Sequence, residues 1–173
     1  MTGPAARPLV FLDVDGPLIP FRARPGRNRY IPMSLAGQVN DDSDNPLLDR
    51  LDPANGHSLL ELGCELVWAT TWMAEANEVV SPRLGLRDLP VVEFPDTDDE
   101  PVGGLHWKTM FLIRWAAGRP FVWIDDECTE ADRRWVARHH PGRALVHRVD
   151  PFVGLTNTDF DSIHRWLARL PET

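Results

Sequence analysis

Cysteine is scarce in this chain: Cys64 and Cys128 stand far apart, with neither a CxxC pair nor Cys/His ligand spacing around them. That excludes a disulfide framework and a zinc site, and two free thiols in a reducing compartment are the expectation. Positive charge is also in deficit, with 18 Lys and Arg against 26 Asp and Glu and a net charge of -8. A surface of that sign does not attract phosphate backbones as a whole, although a local basic patch remains open. Long hydrophobic runs are missing: no stretch reaches the ~18 apolar residues of a membrane span, and the opening MTGPAARP has no apolar leader core. Internal repeats and low-complexity segments are absent. The expectation is a cytoplasmic protein of one domain over residues 1–173, with no membrane contact and no obligate protein partner.

What the chain does have is a series of short apolar runs at 9–12, 66–69, 91–94, 121–124 and 144–149. They are continuous rather than alternating, which marks strands buried on both faces. Helical periodicity lies between several of them. A helix over 108–117 ends at Gly118, a second over 129–139 opens with Thr129 and Asp132 at capping-box spacing, and a third over 158–170 opens with Thr158 and Asp161 in the same relation. Strands of this kind alternating with helices predict an α/β fold, a three-layer αβα sandwich around a parallel sheet. Residues 20–46 and 95–105, rich in Pro, Gly and charge, read as loops, the first as a flap or small cap.

Ligands of open parallel sheets bind beyond the carboxyl ends of the strands, so polar residues directly after each apolar run are the candidates. LVFLDVDG places Asp13 and Asp15 there, ELVWATTW places Thr70 and Thr71, and FVWIDDE places Asp125 and Asp126, with Lys108 in LHWKT at a helix start. This set suits phosphoryl transfer through an aspartyl-phosphate. One carboxylate attacks phosphorus, a second two residues on handles protons, and a hydroxyl and an ammonium hold the phosphoryl oxygens. A hard divalent cation, Mg2+, held by carboxylates, neutralises the approach of two anions.

The order DxDG, strand-end Thr, helix-start Lys, strand-end Asp-Asp resembles the four motifs of the haloacid dehalogenase (HAD) superfamily over residues 8–126. The resemblance implies a HAD-like sandwich with a small cap and a phosphatase rather than a dehalogenase, because the second aspartate of DxD is present. It further implies Asp13 as nucleophile and metal ligand, and Asp15 as general acid/base with its backbone carbonyl on the metal. Thr70, with Thr71 as the alternative, would bind phosphate, Lys108 would stabilise the phosphoryl group, and Asp126 would be the acidic ligand with Asp125 in support. DVDG together with VWATTWMAEAN is also similar to the HAD domains of bacterial multi-domain RNA-repair proteins. The small insertions imply an open site for a large or extended phosphorylated substrate, with nucleotides, nucleic-acid ends and phosphorylated proteins as the candidates. Pro17 departs from the Thr or Val common after the glycine and stiffens the turn into the flap.

Other features carry two readings each. Arg22, Arg24, Arg27 and Arg29, ending at Tyr30, are a candidate grip on a phosphate-rich substrate or ordinary solvated loop residues. Trp72 and Trp107 flank the Thr and Lys positions and either stack on bases or pack. The acidic run 96–100 reads as a solvated loop, and His139 and His140 as surface residues at a helix end. As alternatives to a phosphatase stand a phosphotransferase or phosphomutase of the same fold, a non-catalytic phosphoacceptor domain, and an inactive scaffold. A receiver-type phosphoacceptor places its acidic pair first and its nucleophile later, the reverse of the order here.

Overall fold

The computed structural model describes residues 7–22, 45–95 and 102–171. Four strands, β1 (Leu9–Leu12), β2 (Glu65–Trp68), β3 (Phe121–Asp125) and β4 (Ala144–Arg148), form one parallel sheet in the order β2-β1-β3-β4. The helices are α1 (Pro53–Glu61), α2 (Glu75–Val79), α3 (Ser81–Leu84), α4 (Thr109–Ala116), α5 (Glu130–His139) and α6 (Asn157–Leu167).

Every residue of β1 and β3 is buried, as continuous apolar runs require. Because successive side chains point to opposite faces, each run feeds two cores. Val10, Leu12, Val122 and Ile124 pack with Leu59 of α1, Leu84 of α3 and Ile163 of α6. Leu9, Phe11, Phe121 and Trp123 pack with Leu112 and Ala116 of α4 and Val136 of α5. The result is the expected αβα sandwich. Each large apolar side chain removed from water contributes about 2 kcal/mol, so the central strands are rigid platforms for whatever follows them.

The chain leaves β1 towards β2 by way of α1 and leaves β3 towards β4 by way of α5, on the opposite layer. The direction of winding therefore reverses between β1 and β3. At such a reversal the two outgoing loops diverge and open a crevice at the carboxyl ends of the strands.

Several sequence expectations shift in the structure. The run at 91–94 makes only an isolated parallel bridge, Trp68 to Val91, because Pro90 and Pro95 bracket it and limit its ladder to two backbone hydrogen bonds, Trp68 N–H to Pro90 O and Val92 N–H to Trp68 O. Asn77 fastens this edge: its Oδ1 accepts from Trp68 Nε1 and Leu89 N, and its Nδ2 donates to Leu89 O. The capping box at Thr129 and Asp132 forms as read. For α6 the box is Thr156 with Asp159, two residues earlier than expected, and Asp159 Oδ1 is also 2.9 Å from His147 Nε2 on β4. That long-range tie favours the earlier threonine and is invisible to local spacing. In α4 the left-handed cap is Ala117 (φ 49°), with Gly118 continuing the positive turn. His139 is exposed, but His140 is buried, its Nε2 2.9 Å from Arg119 O and its ring 4.8 Å from that of Phe121. The turn from α5 into β4 folds this residue under the sheet end. Residues 23–44, which include Arg24, Arg27, Arg29 and Tyr30 of the expected flap, and the acidic run 96–100 lie outside the described residues.

Candidate active site

β1 delivers Asp13 directly into the crevice. Its backbone N–H donates to Ile124 O (3.1 Å), so pairing with β3 runs one residue past the strand and fixes the aspartate, 7% exposed, beside the end of β3. Asp13 Oδ1 accepts from Val14 N at 2.8 Å. The chain then turns tightly: Leu18 N–H and Ile19 N–H both reach Val14 O, and Gly16 N–H reaches Ile19 O. Gly16 has φ +88°, and a Cβ there would lie 2.6 Å from Asp126 Cγ. Glycine is required for both reasons, because the turn needs left-handed backbone and Asp126 stands against it. Pro17 fits without loss, its carbonyl accepting from Leu155 N.

Lys108, at the N-cap of α4 and 2% exposed, reaches across the crevice. Its Nζ lies 2.9 Å from Asp13 Oδ2 and 2.9 Å from Asp125 Oδ2. Asp125 is fully buried and both its oxygens are engaged, Oδ2 also by Trp123 Nε1 (3.2 Å) and Oδ1 by Glu127 N (2.9 Å). Asp126 differs: its carbonyl accepts from Arg148 Nε, while its carboxylate faces Gly16 and bonds to no other described residue. The loop carrying Lys108 is held by Asp132, which accepts from His106 N, Thr109 Oγ1, Thr129 N and Thr129 Oγ1 at 2.6 to 2.8 Å.

The electrostatics follow from this geometry. Burial pushes the Asp13 carboxyl up to about 7 against the pull of Lys108, with Asp125 adding repulsion. Asp126 is pushed up to about 6, by burial and then by Asp125. For Lys108, burial acts to lower the pKa, but the Asp13 and Asp125 carboxylates together outweigh it and the ammonium is held above its ordinary value. Three carboxylates facing one ammonium leave an excess of negative charge at a buried site. One oxygen from each of Asp13, Asp125 and Asp126 lies within 4.8 Å of the others, so the donor set fits a hard divalent cation such as Mg2+. Since Asp125 is committed to Lys108, the Trp123 indole and the Glu127 N–H, Asp13 and Asp126 are the carboxylates with capacity left for it. A neighbouring trio, His106, Asp125 and Glu127, is equally close, but it offers an imidazole, an exposed glutamate and the already committed Asp125.

β2 places Thr70 one residue beyond Ala69, whose N–H donates to Leu12 O. Thr70 is fully buried and its Oγ1 accepts from Trp72 N (3.3 Å), whereas Thr71 is exposed. Trp72 has a role that neither reading of its sequence position contained: its Nε1 donates to Asp15 Oδ2 at 2.9 Å. The only local signal was its place two residues after Thr70. Trp107 packs, edge-on to Phe94, stacked with His106, and 5.5 Å from Lys108 Nζ. Burial pushes the Cys64 thiol up to about 11 and the Cys128 thiol up to about 12, away from the reactive thiolate.

A parallel αβα sheet that brings a DxD pair, a strand-end threonine, a buried lysine and an Asp-Asp pair to one switch point defines a HAD-type protein. The chain belongs to the HAD domain family of Swiss Army Knife RNA repair proteins, whose family model matches residues 9–160. Comparison with curated proteins and with solved structures gave no match. No helix among the described residues is long and apolar enough to cross a membrane.

Proposed function

We propose that the protein is a magnesium-dependent phosphomonoester hydrolase working through an aspartyl-phosphate on Asp13, with phosphorylated nucleic-acid ends among its substrates. Family membership supports phosphoester-hydrolase chemistry, and the description of the family as part of RNA repair proteins supports the substrate class. The observation that carries the reading is the Lys108 ammonium, 2.9 Å from both Asp13 and Asp125, opposite the Asp126 carboxylate, which bonds to no other described residue.

In this reading a carboxylate oxygen of Asp13 attacks phosphorus, the bond to the leaving oxygen breaks, and Asp15 gives that oxygen its proton. Asp15, now ionised, takes a proton from water, which attacks the aspartyl-phosphate, releases phosphate and restores Asp13. Lys108 and the Thr70 hydroxyl balance charge on the transferring oxygens. Magnesium held by Asp13 and Asp126 would screen the repulsion between the attacking carboxylate and the phosphate dianion. The Trp72 indole holds Asp15 in place for both proton transfers.

The test is p-nitrophenyl phosphate hydrolysis with and without magnesium, run beside Asp13→Asn, followed by phosphate release from 3′- and 5′-phosphorylated oligonucleotides. Turnover that requires magnesium and disappears in the variant is expected. Equal turnover by Asp13→Asn would remove the nucleophile from the scheme.

A further inference from the structure

Two loops at the carboxyl end of the sheet carry an aromatic surface that the proposed chemistry leaves unused. The connection after β1 carries Phe21 and Arg22, and the loop after β4 carries Phe152 and Val153. Phe21, Phe152 and Val153 are 52%, 53% and 49% exposed, half of the large apolar side chains that stand exposed among the described residues. Exposed aromatics concentrated in one place mark a contact surface rather than chance.

The surface is rigid. Phe21 N–H donates to Pro151 O at 2.7 Å, joining the two loops, and Arg50 Nη1 clamps the carbonyls of Pro20 and Phe21. Asp150 closes the second loop, its Oδ1 accepting from Phe152 N and its carbonyl from Gly154 N. The two rings meet edge to face, with centroids 5.9 Å apart and planes at 89°, and the Arg22 guanidinium lies 6.0 Å over the Phe152 ring. In such a pair one ring face stays open to a third planar group.

The surface also borders the crevice. Gly154 lies so close to the DxDG turn that a Cβ on it would be 3.0 Å from Pro17 O and 3.4 Å from Gly16 O, and Gly16 in turn abuts Asp126. Phe152 is two residues from Gly154, within about 7.6 Å along the chain. The aromatic pair and the Arg22 guanidinium therefore stand on the two loops that border the crevice holding Asp13.

The geometry points to a stacking subsite in which Phe21 and Phe152 receive the nucleobase adjoining the terminal phosphate of a single-stranded nucleic acid, with Arg22 against the strand's backbone. This rests on the phosphatase reading above for the position of the phosphate. Stacking is tolerant of base identity because every base presents a π face, so the subsite selects single-stranded ends without reading sequence.

The test measures binding, so that it does not depend on turnover. Asp13→Asn protein is titrated with a fluorescent single-stranded oligonucleotide bearing a terminal phosphate, and with the same strand whose last nucleotide is abasic. The subsite requires about tenfold weaker binding of the abasic strand. It requires the same loss for the intact strand when Phe21→Ala and Phe152→Ala are added, with the base preference abolished and an unchanged circular-dichroism melt. Equal affinity for base-bearing and abasic ends would overturn the subsite, and that arm needs no change to either aromatic. So would a base preference that survives the double substitution. If the unsubstituted protein turns over no phosphoester, the phosphatase reading falls, while the affinity ratio still decides the subsite.

Discussion

Asp132 and Asp13 are both buried carboxylates, and the loop that carries Lys108 ties to each, yet their surroundings are opposite in kind. Asp132 receives four donors, two from Thr129, one from Thr109 and one from the His106 backbone. Burial acts to raise its pKa, but those hydrogen bonds outweigh it and hold the group below the ordinary carboxylate range. Asp159 repeats the pattern with Thr156 and His147. Asp13 has one backbone donor and shares its ammonium with Asp125, so burial prevails and its pKa rises. A satisfied buried carboxylate is a fastener. One left short of positive charge is poised to take a cation or a phosphoryl group, and the same helix start is built from both kinds.

The largest effect that separates them is on activity. Asp13→Asn keeps the shape and removes the proposed nucleophile, and phosphatase turnover falls by at least about a thousandfold. Its metal-free stability holds or rises, because a carboxylate that was costly to bury is gone; denaturant titration in EDTA checks this. Asp132→Ala does the reverse in kind. It strands four donors and releases the anchor of Lys108, lowering unfolding free energy by about 2–4 kcal/mol in a urea titration.

Trp72→Phe is a smaller intervention. Removal of the indole N–H frees the Asp15 carboxylate and lowers kcat about tenfold with KM unchanged. The loss is greater for an alkyl phosphate than for p-nitrophenyl phosphate, since the poorer leaving group depends more on a well-placed proton donor. A change of equal size for both substrates would make Trp72 a packing residue only.

The smallest effect is on pH dependence. Asp13 and Asp126 have folded pKa values of about 7 and about 6, above the ordinary 3.8, so the folded state binds more protons than the unfolded between those limits. Stability of the metal-free protein therefore declines as pH rises from about 4 to about 7. Asp132 and Asp159, held below 3.8, oppose this only at lower pH, where their contribution is lost as they protonate. Magnesium competes with the protons on Asp13 and Asp126, so the rise in melting temperature it produces grows as pH increases through the same window. Asp126→Asn flattens that growth. Melting curves across pH, with magnesium and with EDTA, read both slopes.

Much of this was legible in the chain itself. The runs around β1 and β3 are continuous and apolar, and the acidic residues fall just past them, so the sheet and the positions of Asp13, Asp125 and Asp126 followed from local pattern. Lys108 was legible as a helix start but not as the bridge between two aspartates. Its contacts cross 95 and 17 residues of sequence, and only the reversal of winding between β1 and β3 brings those ends together. The Trp72 to Asp15 bond spans 57 positions and has no local signature. The true cap of α6 was missed for the same reason, since Asp159 is selected by His147 across the sheet edge. Local spacing names the residue types, and tertiary pairing decides which of two neighbours is used.

The most direct test uses Asp15→Asn, which lacks the carboxylate proposed to activate water but keeps the proposed nucleophile. It is mixed with p-nitrophenyl phosphate and magnesium, whose leaving group departs without a proton donor, then quenched in acid and mapped by peptide mass spectrometry. A phosphoryl group on the peptide containing Asp13 is the expected result. A phosphoryl group on any other residue, or undiminished turnover with no adduct at all, would contradict the central claim.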